Sequence, residues 1–129
     1  MPDATPPNDR KYLPTHEWHK AEGNVVTIGI TQIAADELTD ITYVQLPKIG
    51  TAIEAGKPFG EIESVKATSD LYGGVSGTVM KVNDELTKNP GLVNTDPYGK
   101  GWMIQVQTSG EPNFAGLLSA ADYMAKTGH

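Results

Sequence analysis

The segment GEIESVKATSDLYGGVSG, residues 60–77, places a single lysine between two short runs that favour β structure. Lys66 is flanked by the acids Glu61, Glu63 and Asp70, and no other basic residue occurs between positions 57 and 81. Short runs of this kind, separated by turn residues, are typical of paired β-strands. The sequence therefore predicts a β-hairpin with Lys66 at its tip, where the side chain is most accessible.

On the N-terminal side, the sequence predicts another hairpin followed by a short helix. HEWHKAEG and NVVTIGIT, joined by a Glu-Gly-Asn turn, are predicted to pair as two strands. Val26, Ile28 and Ile30 alternate with smaller or polar residues, which is the period of a sheet with one buried face. Thr31 is a candidate N-cap for the helix QIAADEL, whose Ile33 and Leu38 are expected to face inward. ITYVQLP is predicted to be a further strand.

On the C-terminal side, the prediction is a helical turn in NDELTKNPGLVN that ends at the Asn-Pro-Gly sequence. GWMIQVQ is predicted to be the last strand, and SAADYMAKTG a helix capped by Ser119. Many short strands with few short helices indicate a mainly β fold, a compact sandwich or barrel of antiparallel strands with short flanking helices.

Composition narrows the range of functions. The chain has 129 residues and a formal net charge of -6, which fits one domain and disfavours nucleic acid or an anionic membrane as a partner. It contains no cysteine, so disulfides, thiol nucleophiles and cysteine metal sites are excluded. Residues 1–11 are predicted to be a flexible lead-in without the features of a targeting segment, residues 12–129 a single domain, and the protein cytoplasmic.

Several residues that often carry chemistry are given structural interpretations. His16 and His19 are three positions apart, which on a strand places them on opposite faces and argues against a shared metal. His19 is predicted to be an ordinary exposed strand residue, and His129 a disordered chain end. Trp18 and Trp102 are interpreted as packing residues. GGVSG lacks the pattern of a phosphate loop and is interpreted as a tight turn with close backbone approach. No conventional catalytic or metal site is predicted.

Lys66 remains the candidate functional residue. The simplest interpretation is a solvated surface lysine, but the predicted hairpin presents it alone at an exposed tip. An isolated lysine gives a modifying enzyme one target, whereas a protonated lysine is a poor nucleophile by itself. We therefore expect Lys66 to be modified rather than to act as a nucleophile.

Taken together, these residues resemble the H-protein family of the glycine cleavage system, whose members are lipoyl carriers. The likeness extends from about Tyr12 to Lys126. The motifs are THEW, VTIGIT, LPKIGTAIEAGKPFGEIESVKATSDLY, VSGTV, VNDEL and DPYGKGWM, in the family's order. Biotin carriers have methionines on both sides of their lysine, whereas Val65 and Ala67 flank Lys66 here.

The resemblance implies a lipoyl-domain-like barrel-sandwich hybrid with lipoic acid in amide linkage on Lys66. The implied partners are the pyridoxal-phosphate-dependent glycine decarboxylase (P-protein), the aminomethyltransferase (T-protein), dihydrolipoyl dehydrogenase (L-protein) and a lipoylating enzyme. The chain would carry the aminomethyl group and electrons between them as a monomer and catalyse none of the steps. The absence of cysteine is then explained, because the redox sulfurs belong to the attached group.

The resemblance also suggests functions for individual positions. Glu63 and Gly77, the latter in the turn that faces the lysine, match positions used in recognition by the lipoylating enzyme. Glu17 and Asp70 match positions that line a cleft in which the loaded arm docks, and a cationic amine there would be shielded by carboxylates. Gln32 and Ile33 depart from the family's usual aspartate and ring-bearing residue, so Ile33 is expected to make the cleft more apolar. YGGVSG also departs from the usual small residue and proline before Val75.

Three alternatives remain open at this stage. An H-like protein could donate its lipoyl group to other complexes, and the genes for the other glycine-system enzymes would distinguish that function. A biotin carrier would be detected by avidin binding. In an unmodified binding module, Lys66 would be an ordinary surface lysine.

Overall fold

The computed structural model describes residues 6–110, 112, 114 and 116–127. It confirms a mainly β fold of antiparallel sheets with short helices. The strands are β1 (Lys11–Tyr12), β2 (Glu17–Glu22), β3 (Val25–Ile30), β4 (Ile41–Gln45), β5 (Ala52–Ile53), β6 (Pro58–Ser64), β7 (Thr68–Tyr72), β8 (Gly77–Val82) and β9 (Ile104–Gln107). The helices are α1 (Gln32–Leu38), α2 (Glu85–Lys88), α3 (Leu92–Thr95) and α4 (Ala120–Thr127).

The strands form two antiparallel sheets. The larger sheet has six strands in the order β1-β2-β3-β9-β8-β5, and the smaller has three in the order β4-β6-β7. The central strand of the smaller sheet, β6, pairs with β7 to give the predicted hairpin around Lys66. The predicted hairpin of β2 and β3 is also present, with Glu17 opposite Ile30 and Glu22 opposite Val25.

Two clusters of buried side chains hold the sheets and helices together. The larger cluster contains inward-facing residues of both sheets, among them Val26, Ile28, Ile62 and Leu71. The smaller lies on the other side of β2 and consists of Tyr12, Trp18, Ile33, Ala120 and Tyr123. On strand β2, Trp18 belongs to the smaller cluster, whereas the buried Glu17 and His19 point to the other side, because successive side chains on a strand point to opposite faces.

Both predicted helix caps are confirmed. The Thr31 hydroxyl accepts a hydrogen bond from the Ala34 N–H at 3.2 Å, and the Ser119 hydroxyl accepts one from the Asp122 N–H at 3.2 Å. Trp18 is buried and Trp102 is half-buried, as expected for packing residues. Sequence patterns missed the short strand β1 and the helical turn α3, which have too few residues to show a period.

The prediction that His19 is an exposed strand residue is wrong. His19 is fully buried on the face of β2 that points toward the smaller sheet, and its Nε2 accepts a hydrogen bond from the Gly74 N–H at 2.8 Å. A methyl group at Gly74 would lie 2.4 Å from a Leu117 methyl carbon and 3.2 Å from His19 Nε2. The close backbone approach predicted for GGVSG is thus present, and it explains this glycine.

The predicted lead-in overlaps residues that pack against the domain. Residues 1–5, and His129 at the other end, lie outside the described residues. The Arg10 guanidinium lies over the Trp18 ring at 4.6 Å from its centroid, and the Tyr12 hydroxyl donates a hydrogen bond to the Pro7 carbonyl at 2.5 Å. The packed part of the chain therefore begins before Tyr12.

Candidate functional site

Lys66 lies in the three-residue turn between β6 and β7, and Ser64 organises that turn. The Ser64 hydroxyl accepts hydrogen bonds from the backbone N–H groups of Lys66 and Ala67, both at 3.1 Å. The Ser64 N–H donates to the Ala67 carbonyl at 2.8 Å. These bonds close the turn locally, so the Lys66 side chain projects from a fixed backbone.

The turn is also held against the C-terminal end of α1. The Val65 N–H donates to the Asp40 carbonyl at 3.1 Å, and Lys66 Nζ donates to the Glu37 carbonyl at 3.1 Å. The last carbonyls of a helix have no partner within the helix and favour a cation. The lysine side chain is exposed and extends from the hairpin toward this helix end.

A cleft lies beneath the Lys66 side chain, between α1, β7 and the segment that leads into β2. It has a volume of about 230 Å³. Its apolar lining comes from Ile30, Ala34, Leu38, Ile62 and Leu71, and its charged or titratable lining from His16, Glu17, Glu37 and Asp70, with Lys66 itself at the edge. An apolar floor with acids around it suits a long apolar arm that ends in a cation.

Glu17 is the buried acid of this cleft, with only 1% of its surface exposed. One carboxylate oxygen accepts a hydrogen bond from the Tyr72 N–H at 2.9 Å, and the other accepts one from the Thr15 hydroxyl. Burial raises the pKa of Glu17 to about 7, although these hydrogen bonds act in the opposite direction. Glu17 is therefore partly protonated near neutral pH, and a cation close to it would favour its ionised form.

His16 forms a wall of the cleft and connects it to helix α4. Its backbone is in the left-handed region, with φ of 84°. Nδ1 of the ring lies 2.5 Å from the Tyr123 hydroxyl, which is 2.8 Å from the Thr31 hydroxyl, and Nε2 lies 4.0 Å from the Glu37 carboxylate. Because Tyr123 is fully buried, this network fixes the His16 ring.

The predicted site residues do not all lie together. Glu17 and Asp70 line the cleft, whereas Glu63 is exposed on the outer face of the smaller sheet, in register with Tyr43 and Thr68. Ile33 is not part of the cleft. It is buried with Tyr12, Trp18 and Tyr123 on the other side of β2, so its expected place in the cleft is corrected.

Gly77 also has a different setting from the predicted turn. It is the first residue of β8 and pairs with Ile53 of β5. A methyl group there would lie 2.4 Å from the Gln107 carbonyl oxygen and 2.7 Å from a Val106 methyl carbon. Close packing against β9 therefore explains why this position is glycine.

Comparison with known proteins decides the family. A model of the glycine cleavage H-protein family matches residues 10–129. The chain belongs to the glycine cleavage H-protein family. The glycine cleavage system H protein of Carboxydothermus hydrogenoformans is 54% identical over 117 residues, covering 91% of this chain and 90% of the relative. That of Myxococcus xanthus is 49% identical over 119 residues, covering 92% of each chain.

A solved structure agrees with this assignment. The crystal structure of a glycine cleavage system H protein from Mycobacterium marinum superimposes with a TM-score of 0.87 at 37% identity. The match covers 95% of this chain and 99% of that one. The lipoyl-domain-like barrel-sandwich expected from the sequence is therefore confirmed.

H proteins are the lipoyl carriers of the glycine cleavage system, with lipoate covalently attached to a lysine. They carry the aminomethyl group of glycine from the P-protein to the T-protein and electrons to the L-protein. Within the described residues, no helix is both long and apolar enough to span a membrane. Membership of this lipoyl-carrier family disfavours biotinylation and an unmodified binding function.

Sequence reasoning missed three residues of the site. Ser64, two positions before Lys66, was recognisable only as a polar residue near a turn. The sequence presents His16 only as a candidate metal ligand and Glu37 only as one acid of a short helix. The contacts of His16 and Glu37 join residues 107 and 29 positions apart, so no local pattern indicates them, whereas Ser64 contacts only residues two and three positions ahead.

Proposed function

We propose that Lys66 is the lipoyl-bearing lysine of this H protein and that the chain acts as a non-catalytic carrier. The observation that carries the proposal is the position of Lys66, exposed at the tip of the hairpin with its Nζ extended over an acidic cleft. A modifying enzyme can reach this amine without opening the fold. The local hydrogen bonds of Ser64 keep the attachment point in one place.

The residues present fit a lipoyl group. The exposed amine provides the amide linkage, and the apolar floor of Ile30, Ile62 and Leu71 can cover the hydrocarbon part of an arm. When attached, the group supplies the dithiolane sulfurs that this cysteine-free chain lacks. A short covalent tether also raises the local concentration of the carried group at each partner, to about millimolar for flexible links.

We infer that the cleft shelters the loaded arm, with Glu17 and Asp70 facing its cationic amine. Glu17 lies at the floor with both oxygens already fixed by hydrogen bonds, so its orientation is set before the arm arrives. Asp70 lies on the edge strand β7 in register with Glu61, so it borders the cleft from the outer side of the sheet and keeps its carboxylate in contact with water. The apolar floor would exclude water from the group that the acids hold, which slows hydrolysis.

Glu63 and Gly77 are proposed to contribute to recognition by the lipoylating enzyme in different ways. Glu63 is exposed three residues before Lys66, so its carboxylate is available for direct contact. Gly77 lies against the backbone of β9, which favours an indirect contribution through the position of β8. A substitution at Gly77 would therefore displace the strand before it affected any partner.

The test is an intact mass and a fragment map of the protein purified from its native host grown with glycine. A lipoyl increment on Lys66 is the expected result, and Lys66→Arg should abolish carrier activity with little effect on folding. A bare Lys66, or full carrier activity in the Lys66→Arg variant, would contradict the proposal. Decarboxylase-dependent exchange of bicarbonate into glycine would distinguish glycine cleavage from donation of the lipoyl group to other complexes.

A further inference from the structure

The outer face of the three-stranded sheet carries acids and no basic side chain. In register across it lie Tyr43, Glu63 and Thr68 in one row, and Gln45, Glu61 and Asp70 in the next. None of the strands β4, β6 and β7 contains lysine or arginine. Apart from Lys66 at the tip, this face presents three carboxylates, so a partner that covers it needs a basic surface.

An exposed aromatic side chain interrupts this acidic face. Among the described residues, the large hydrophobic side chains classed as exposed are Tyr43 at 47%, Ile49 at 65% and Val65 at 69%. Two of these lie near Lys66, since Val65 precedes it in the turn and Tyr43 is directly opposite Glu63 on β4. Single exposed hydrophobic residues are common. A tyrosine in register with a carboxylate, next to the lysine proposed to be modified, is a more specific indication of a binding site than a single exposed hydrophobic residue.

The position of Tyr43 restricts the choice of partner. The P-, T- and L-proteins react with the far end of the lipoyl-lysine arm. The lipoylating enzyme, in contrast, must bring its reacting atoms to Lys66 Nζ itself. A standard interface covers about 800 Å² on each partner, a patch roughly 16 Å in radius. Glu63 is three residues from Lys66, about 10 Å along the strand, and Tyr43 is one strand further, about 5 Å away. Both therefore fall within the footprint of that enzyme.

We propose that Tyr43 and Glu63 together bind an arginine side chain of the enzyme that lipoylates Lys66. This inference rests on the proposed attachment at Lys66 and adds the residue pair that the enzyme recognises. A guanidinium is planar, stacks on a tyrosine ring and donates two parallel hydrogen bonds to a carboxylate. The register of β4 and β6 places a ring and a carboxylate side by side, as such a side chain requires.

The experiment measures transfer of lipoate to the unmodified protein by a purified lipoate–protein ligase, followed by intact mass. Tyr43→Ala is expected to raise KM about tenfold with kcat unchanged, as for other tyrosine contacts at the centre of an interface. Tyr43→Phe keeps the ring and should remain within about twofold of the parent KM. Ile49→Ala removes a hydrophobic side chain that is 65% exposed, more than Tyr43 at 47%, and that lies outside the hairpin sheet, so it serves as the control. Melting curves check that each variant is folded.

A double-mutant cycle tests whether the two residues act together. If one guanidinium contacts both residues, the fold increase in KM of the double variant, Tyr43→Ala with Glu63→Gln, should be smaller than the product of the fold increases of the two single variants. Rising salt should raise KM for the parent more than for Glu63→Gln. A KM for Tyr43→Ala equal to that of Ile49→Ala, or independent effects in the cycle, would overturn the inference. Failure of the parent itself to accept lipoate on Lys66 would instead overturn the proposed function.

Discussion

The Glu17 carboxylate accepts a hydrogen bond from the Tyr72 N–H at 2.9 Å and thereby joins the two sheets at the floor of the cleft. Two residues further along each segment, His19 and Gly74 form a second bond of the same kind at 2.8 Å. Two buried, titratable side chains of β2 thus hold the end of β7. The strand after Lys66 is therefore fixed by two titratable groups, of which Glu17 has its pKa raised to about 7 and His19 has its pKa lowered to about 4.

Glu17 should make the protein less stable as pH rises from about 4.5 to 7. Burial raises the pKa of Glu17 to about 7 in the folded state, so the folded protein binds this proton more tightly than the unfolded chain does. Stability is lost as the proton leaves, by on the order of 3 kcal/mol above pH 7. In Glu17→Gln this part of the dependence should be absent. Denaturant unfolding at pH 4.5 to 8 measures the free energy of unfolding of both proteins. If this free energy changed with pH in the same way in the parent and in Glu17→Gln, the prediction would be contradicted.

His19 should have the opposite dependence at lower pH. Burial lowers its pKa to about 4, and its Nε2 must stay unprotonated to accept the Gly74 N–H. Its stabilising contribution is complete above about pH 6.5 and is lost as pH falls through 4, by on the order of 3 kcal/mol. His19→Gln keeps an acceptor without titrating. The difference between parent and variant unfolding free energies should therefore fall below pH 6.5, and a constant difference would exclude this explanation.

Ser64→Ala should loosen the hairpin tip with little loss of overall stability. The variant removes the acceptor for the Lys66 and Ala67 N–H groups, which can bond water instead, so the free energy of unfolding should fall by about 0.5–1.5 kcal/mol. Amide hydrogen exchange at Lys66 and Ala67 should quicken about tenfold. Ser69→Ala, on β7, is the control and should leave both amides unchanged. Equal exchange in all three proteins would show that Ser64 does not order the tip.

Lys66 and the alternating strands could be predicted from sequence because their signals are local. The period of Val26, Ile28 and Ile30 indicates a half-buried strand, and a lone lysine between two predicted strands indicates a hairpin tip. The burial of His19 could not be predicted, since its partner Gly74 is 55 residues away. Ile33 was correctly expected to face inward, but a helix period does not say which of two clusters the side chain enters.

Gly29→Ala should be strongly destabilising. Gly29 is opposite Trp18 in the pairing of β2 with β3, and a methyl group there would lie 2.7 Å from the indole ring. The ring cannot move freely because its Nε1 donates to the Pro97 carbonyl at 3.0 Å and Arg10 covers its face. Overpacking of this kind costs about 1–3 kcal/mol. The measurement is the melting temperature of Gly29→Ala, compared with that of the control Gly116→Ala, where an added methyl group would have no neighbour within 4 Å. Similar melting temperatures for the two variants would contradict the prediction.

Shelter of the loaded arm should strengthen as pH rises through about 7. The carboxyl of Glu17 attracts a cation only when ionised, and burial holds its pKa near 7 before the arm docks. A docked amine would favour the ionised form, so docking should release a proton. The rate at which the aminomethyl group is lost from the loaded protein should fall severalfold between pH 6 and 8. It should stay high in Glu17→Gln, whereas Glu22→Gln, on the same strand but outside the cleft, should behave like the parent. If the rate of loss of the aminomethyl group from the parent did not change with pH, Glu17 would not hold the amine.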